Sequence, residues 1–159
     1  MAAHKCEHHN LCKEDALAAA EKVCAEVGAR FTQSRREVFS ALWGGHKALT
    51  AAEIMEKTGN TQPPMTYRSL EFLKKHGLIH HIASLNAYVG CLHAEEENHV
   101  GQMLVCTNCR TVTETDPQDE LRTLFSAARE ENFNVQSTHI EMLGLCQMCQ
   151  KPGRAKNHE

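Results

Sequence analysis

Two closely spaced cysteine pairs are the residues of this sequence with the clearest chemistry. The motif CTNC holds the first pair and CQMC, near the end of the chain, holds the second: Cys106 and Cys109, and Cys146 and Cys149. A spacing of two residues lets both sulfurs of a pair reach one zinc ion at about 2.3 Å. Four thiolates leave no open coordination position, so the pattern predicts a structural zinc site. A thioredoxin-like redox pair is disfavoured, because one pair would suffice and no helix is predicted directly after either motif.

A zinc-dependent enzyme is the alternative that these cysteines leave open. The stretch HAE, His93 to Glu95, precedes the first pair and is similar to the zinc deaminase pattern of a metal-binding His, a proton-transferring Glu and two Cys ligands. The gap is short, however, no proline precedes Cys106, and the second cysteine pair has no place in that pattern. We therefore expect a solvated run of glutamates here, no catalytic residue and no small-molecule substrate.

Composition indicates a folded protein of a reducing compartment. The chain has 159 residues, 42% of them hydrophobic, with eight cysteines and eleven histidines. No apolar run approaches the roughly 18 residues of a membrane span, and the first residues lack a signal-peptide core. We expect a cytoplasmic protein without a membrane partner, in which paired thiols bind metal rather than form disulfides.

The charge is divided unevenly along the chain. Residues 1–91 carry 11 Lys and Arg against 9 Asp and Glu, whereas residues 92–159 carry 6 against 11. This split suggests two modules and confines any polyanion binding to the first of them.

The first module is predicted to be a winged helix. Helices are expected over 13–27, after Thr32, after a capping box that begins at Thr50, and over 65–76, where two prolines occupy the first turn. A hairpin with a Ser-Leu-Asn turn follows and ends at Cys91. The last helix before such a wing is the one that enters a major groove.

The second module is predicted to be a small α/β unit, which makes the fold α+β. An acidic linker over 92–99 precedes strands over 102–106 and 111–115, a helix over 117–131 and a strand over 134–142. The predicted domains are therefore 1–91 for DNA binding, with 1–12 as a flexible tail, 92–99 as the hinge and 100–150 for dimerisation and metal binding. Residues 151–159 are expected to be a disordered tail. The second module is small and would leave a strand edge open, so we expect a homodimer.

Three stretches carry a family resemblance: RFTQSRREVF, PPMTYRSLEFLKKHGLIHHI and LVCTNC with GLCQMC. Together they resemble the ferric-uptake-regulator family of bacterial metal-sensing repressors, most closely its zinc-uptake-regulator branch, over roughly 17–149. The resemblance implies two zinc ions per subunit, one structural and one regulatory. The implied regulatory ligands are His80, Cys91, His99 and Glu114.

The chemistry of this ligand set favours zinc as the signal. Two imidazoles, one thiolate and one carboxylate suit tetrahedral Zn²⁺, whereas a sensor of ferrous iron or manganese would avoid sulfur. A regulator of the same family that responds to iron, manganese or peroxide stays open as the alternative. Further histidines could substitute or form another site, and an N-terminal cluster could bind metal incidentally: His81, His93 and His139, and Cys6, His8, His9 and Cys12.

The predicted DNA contacts lie on two helices. In the last helix before the wing, the candidates are Thr66, Tyr67, Arg68, Ser69 and Lys74, with Arg68 able to pair bidentately with guanine. Ser34 and Arg35 are phosphate-contact candidates. Where the family usually has Thr-Pro-Gln-Arg, this chain has Gln33 and Ser34 in place of Pro and Gln. The sequence thus predicts a homodimeric, zinc-responsive repressor that binds a palindromic operator of zinc-uptake genes.

Overall fold

The computed structural model describes residues 9–43, 45, 47–94 and 100–151, with side chains from residue 13 onward except that of residue 118. Its helices are α1 His9–Glu26, α2 Gln33–Leu42, α3 Ala51–Thr58, α4 Pro63–Lys75 and α5 Gln118–Glu130. Its strands are β1 Ile79–Ile82, β2 Ala87–Gly90, β3 Gln102–Cys106, β4 Val112–Thr115 and β5 Ile140–Gly144. The predicted α+β class is confirmed.

Local signals set the ends of the helices in the first part. Thr50 and Glu53 form the predicted capping box of α3, and Gly59 ends that helix in the left-handed conformation at φ 66°. Two prolines occupy the first turn of α4, where the missing N–H groups cost nothing. The apolar faces of these helices bury one core, which includes Val38, Phe39, Leu42, Ile54, Leu70 and Leu73.

The wing is a two-stranded antiparallel hairpin. Strands β1 and β2 pair from Ile79 opposite Gly90 to Ile82 opposite Ala87, joined by a short 3₁₀ turn over Ala83–Leu85. Asn86 closes that turn at φ 46°, a conformation that Asn tolerates better than most residues. The predicted hairpin with its Ser-Leu-Asn turn is therefore confirmed.

The second part is a three-stranded sheet with the order β4-β3-β5, in which β3 is antiparallel to β4 and parallel to β5. The predicted strand over 134–142 was wrong in its position. Residues 134–139 adopt no regular structure, and β5 pairs with β3 from Ile140 to Gly144. The reason is that the length and position of β3 decide which residues of β5 can pair, and the local pattern of 134–142 does not contain that information.

The two parts contact each other through a small apolar cluster. Ala48, Ile82 and Ala87 of the first part pack with three residues of the second: Met103, Val105 and Val112. The segment before α3 extends this contact, because residue 47 pairs with residue 111 and residue 49 pairs with residue 88. This segment therefore bridges the wing and the sheet.

Of the helices in the described part of the chain, none combines the length and apolar character that crossing a membrane requires.

Candidate metal centres and nucleic-acid interface

The four cysteines of the two C-x-x-C pairs meet at one point. Their sulfur atoms all lie within 4.8 Å of one another, and the Sγ atoms of Cys109 and Cys146 are 3.7 Å apart. In a tetrahedral site with Zn–S bonds of about 2.3 Å, neighbouring sulfurs are about 3.8 Å apart. The separation of the thiols therefore fits a zinc ion at their centre.

Backbone hydrogen bonds shape the turn that carries the first pair. The amide of Arg110 donates to the carbonyl of Cys106 over 3.0 Å, and the amide of Cys146 donates to the Cys106 sulfur over 3.3 Å. Burial opposes ionisation of Cys106, but backbone donors from Cys146, Cys109 and Asn108 outweigh it and lower the pKa of this thiol to about 6. This thiol is thus prepared to bind a cation as a thiolate.

A second group of metal-binding side chains lies between the wing and the sheet. His80, Cys91 and Glu114 place one donor atom each within 4.8 Å of the other two. The Nε2 atom of His80 lies 2.8 Å from Oε1 of Glu114, and the sulfur of Cys91 lies 3.8 Å from the same oxygen. An imidazole, a thiol and a carboxylate gathered in this way could supply three of the four ligands of a tetrahedral zinc site.

Each of these side chains is held by a different element. His80 lies on β1, Cys91 directly follows β2, where its amide donates to Leu78, and Glu114 lies on β4. The side chain of Glu114 is only 4% exposed, and its Oε2 accepts a hydrogen bond of 2.9 Å from the amide of Leu92. A buried carboxylate requires such partners, so its position is well defined.

Gly101 has no side chain, and the carboxylate of Glu114 occupies the space that a side chain there would fill. A Cβ at this position would lie 2.5 Å from Oε1 of Glu114 and 2.8 Å from the terminal methyl of Met103. Any larger residue would therefore displace the carboxylate from the group.

The other predicted metal ligands do not join these two groups in the described part of the chain. His99 lies outside the described residues, as do Cys6 and His8, and the side chains of His9 and Cys12 are likewise not described. Three further histidines line a cavity of about 610 Å³ beside the second group, but they do not form a set of three donors: His81, His93 and His139. His81 instead packs against the Tyr88 ring with ring centroids 4.9 Å apart.

Two of the predicted DNA contacts on α4 are wrong, because their side chains are buried. Thr66 is 0% exposed and Ser69 4% exposed, so neither can reach a base. Thr66 accepts a hydrogen bond of 3.1 Å from the side chain of Asn60, and the Ser69 hydroxyl lies 3.3 Å from that of Ser34. Their small polar side chains fit the packed side of the helix, and the helical period then leaves Tyr67 and Arg68 exposed.

The remaining candidates lie around this exposed face. Lys74 is exposed near the end of α4, and Ser34 is half-buried beside the helix. The guanidinium of Arg35 stacks on the Phe72 ring at 3.4 Å from its centroid and also donates to the carbonyl of Arg30. Arg35 is thus held in one orientation against α4.

The protein family of this chain follows from its match to a known family. The model of the ferric uptake regulator family matches residues 26–143, which is more than half of the chain. The chain belongs to the ferric uptake regulator family.

Within this family, the chain is similar to zinc uptake regulators. The zinc uptake regulation protein of Escherichia coli (strain K12) is 31% identical over 140 residues, covering 86% of this chain and 82% of the relative. A structure of a zinc uptake regulator complexed with zinc and DNA is similar with a TM-score of 0.81 at 30% identity, covering 87% of this chain and 95% of that chain.

The structures of XcZur add a comparison of two states. The holo form matches with a TM-score of 0.78 at 31% identity, over 84% of this chain and 96% of that chain. The apo form matches with a TM-score of only 0.50 at 29% identity, over 87% of this chain and 98% of that chain.

Family membership confirms that the chain is a regulator and not an enzyme. The geometry agrees, because the deaminase pattern would combine His93 with Cys106 and Cys109, whereas these cysteines lie with the second cysteine pair.

Sequence reasoning missed two polar contacts between the parts of this family member. Arg110 forms a two-pronged ion pair with Glu53, and the carboxylate of Glu141 accepts hydrogen bonds from the amides of Ala83 and Ser84. No local pattern marks these contacts, because the two partners in each are more than 50 positions apart in the sequence.

Proposed function

We propose that this chain is a zinc-responsive, DNA-binding transcriptional repressor that controls zinc-uptake genes and acts on DNA as a zinc-loaded homodimer. The observation that carries the proposal is the position of His80, Cys91 and Glu114, which join the wing to the sheet of the second part through one group of donors.

Zinc is favoured by the donor types. Cys91 brings a thiolate to a site that also has an imidazole and a carboxylate, and soft sulfur disfavours ferrous iron and manganese. The relatives with the higher identities are zinc uptake regulators, whereas a ferric uptake regulation protein of Staphylococcus epidermidis is 23% identical. His99 is proposed as the fourth ligand, and the four clustered cysteines are proposed to hold a second, structural zinc, giving two per subunit.

The regulatory group would couple zinc to the arrangement of the two parts. When bound, the ion supplies an attraction between donors on the wing and the donor on β4. Driving a two-state hinge from mostly open to mostly closed needs about 5.5 kcal/mol of differential binding, which a tight zinc site can supply. We call the arrangement of this structure, in which His80 and Cys91 lie beside Glu114, closed. The higher TM-score to holo than to apo XcZur, at similar identity and coverage, supports this closed arrangement as the zinc-bound one.

The DNA interface is proposed on the exposed face of α4. Tyr67 and Arg68 lie near its N-terminal end, where a helix in the major groove meets the bases, and Arg68 can pair bidentately with guanine. Ser34, Arg35 and Lys74 are proposed as flanking phosphate contacts. The operator is proposed to be palindromic, because two-fold symmetric dimers match two-fold symmetric sites.

A homodimer is supported by apolar side chains that the second part leaves exposed. They cluster on α5, on β5 and in the segments that follow these elements, and include Leu124, Phe133, Met142, Leu143 and Leu145. Strand β5 also lies at an edge of the described sheet. Burying such a surface and edge against a second copy is the usual solution.

The proposed division of labour follows the predicted bounds. Residues 1–91 are proposed to bind DNA, 92–99 to serve as the hinge and 100–150 to form the dimer. A repressor acts on chromosomal DNA, so the proposal places the protein in the bacterial cytoplasm.

Operator selection followed by metal titration tests this proposal. Duplexes would be selected from a random library by the zinc-loaded protein, and the affinity for the selected duplex measured at buffered free zinc, ferrous iron or manganese. We expect at least a tenfold gain in affinity with zinc and a two-fold symmetric recovered sequence. Binding that ignores zinc and responds to ferrous iron would contradict the proposal.

A further inference from the structure

One ion pair connects the two parts of the chain without using the regulatory metal group. The guanidinium of Arg110 donates to both carboxylate oxygens of Glu53, over 2.9 Å and 3.1 Å. The two side chains are 34% and 38% exposed, so water screens the pair only in part. A fork of two parallel hydrogen bonds fixes direction as well as distance.

Arg110 is held by the turn that carries the first cysteine pair. It directly follows Cys109, has a left-handed backbone at φ 60°, and donates its amide to the carbonyl of Cys106. Its own carbonyl accepts a hydrogen bond of 3.2 Å from the amide of Ala48. Both the backbone and the side chain of Arg110 therefore contact the first part of the chain.

The carboxylate of Glu53 is also held by contacts other than the one with Arg110. Its Oε2 accepts hydrogen bonds from the amide and the hydroxyl of Thr50, over 2.6 Å and 2.8 Å, as the third residue of α3. Helix α3 shares its core with α4 through Ile54, Leu70 and Leu73. A displacement of Glu53 would therefore also move α4, the helix that carries Tyr67 and Arg68.

We propose that Arg110 and Glu53 are positioning residues for DNA binding, forming a latch that holds α3 and α4 against the cysteine turn in the closed arrangement. This inference rests on the proposed function. The latch stabilises the closed state whether or not the regulatory donors hold zinc, so it lowers the zinc concentration at which DNA binding is half-maximal. A ligand that favours the same state needs less affinity once another contact favours it too.

A double-mutant cycle tests the latch. Glu53→Gln keeps the capping box, because a Gln amide oxygen can accept the same N–H, but loses the charge. Arg110→Gln keeps an unbranched polar side chain at this left-handed position and loses the guanidinium. Each variant and the double variant are compared by zinc-dependent binding to the selected duplex, by zinc content and by hydrogen exchange of the Ala48 amide.

The matched control is Glu21→Gln. Glu21 pairs with Arg36 between α1 and α2, at 48% and 37% exposure, so this pair has similar solvent access but joins two helices of the same part. Loss of this pair should leave unchanged the zinc concentration at which DNA binding is half-maximal.

We expect each single variant to keep its full zinc content and to need about fivefold more zinc for half-maximal DNA binding. The double variant should need no more than either single variant, because all three lack the same interaction. Exchange of the Ala48 amide should increase in the same non-additive pattern.

Additive effects of the two substitutions, or an unchanged zinc midpoint and an unchanged Ala48 exchange rate, would overturn the latch. Failure of the wild-type chain to bind any duplex would overturn the proposed function instead. In that case the exchange rates still decide whether the two residues hold the parts together.

Discussion

The Nε2 atom of His80 lies 2.8 Å from Oε1 of Glu114, although the first residue belongs to the wing and the second to the sheet of the other part. This contact places a buried carboxylate at the junction of the two parts, where the Cys91 sulfur also points. The same junction carries an apolar cluster, a two-pronged ion pair and hydrogen bonds from the wing turn to Glu141. A zinc ion bound by the proposed regulatory group of His80, Cys91 and Glu114 would therefore act on a junction that other contacts already stabilise.

Replacing Glu114 with Gln tests whether its carboxylate is a zinc ligand. The amide has the same shape and can still accept from Leu92, so we expect a folded protein that has lost one of the two proposed zinc ions. The zinc-dependent gain in DNA affinity should fall at least tenfold, measured by metal analysis and fluorescence anisotropy with the selected duplex. Glu131→Gln, at an exposed position, is the control. Unchanged zinc content would contradict the assignment.

Arg68 is expected to read a base. Arg68→Gln removes the guanidinium from the exposed face of α4, and we expect DNA binding to weaken by about 1–3 kcal/mol with relaxed preference at one base pair. Zinc content and the unfolding midpoint should not change. By contrast, Ser69→Ala alters a buried hydroxyl that lies against Ser34 and should lower stability without changing base preference. Equal effects of both substitutions on specificity would contradict this division.

The sequence was sufficient to predict the elements that local signals determine. The Thr50 capping box, the prolines of α4 and the turn before Asn86 each act within a few residues, and the structure confirms all three. The gathering of the four cysteines was also predictable, because two close pairs have few other uses in a reducing compartment.

The features that were missed depend on distant partners. The start of β5 is set by its pairing with β3, and the burial of Thr66 and Ser69 is set by the packing of α4 on the core. A helical period can say which residues share a face but not which face is covered when both carry small polar residues. The ion pair of Arg110 with Glu53 has no local signal at all.

Gly90 is expected to be required for the packing beneath the wing. A Cβ at this position would lie 2.7 Å from two atoms of the Trp43 indole, so Gly90→Ala must displace the ring. We expect a loss of about 1–3 kcal/mol in the free energy of unfolding. Because Trp43 is the single tryptophan of the chain, its fluorescence should shift as well. Gly45→Ala is the control, since a Cβ there meets nothing within 4 Å; an equal cost at both positions would contradict the packing argument.

The ion pair of Glu53 predicts a specific dependence of stability on pH. Burial raises the pKa of Glu53, but hydrogen bonds from Arg110 and Thr50 outweigh it and hold the pKa at about 2, below the ordinary value of 4.5. A carboxyl group whose pKa is depressed by folding contributes stability above its unfolded pKa and loses it as pH falls through the folded pKa. The stability difference between the wild type and Glu53→Gln should thus be constant from pH 7 to about pH 5 and shrink towards pH 2.

The expected size of this difference is below about 1 kcal/mol, because both side chains are more than one third exposed and water screens the pair. Urea unfolding of both proteins in the same buffers at pH 7, 5, 4 and 3 measures it, since zinc release at low pH affects both proteins and cancels in the difference. Arg110→Gln should reduce the pH dependence, because the guanidinium is one of the groups that lower the pKa of Glu53. A difference that stays constant down to pH 3, or that grows as pH falls, would show that Glu53 is not held ionised by this contact.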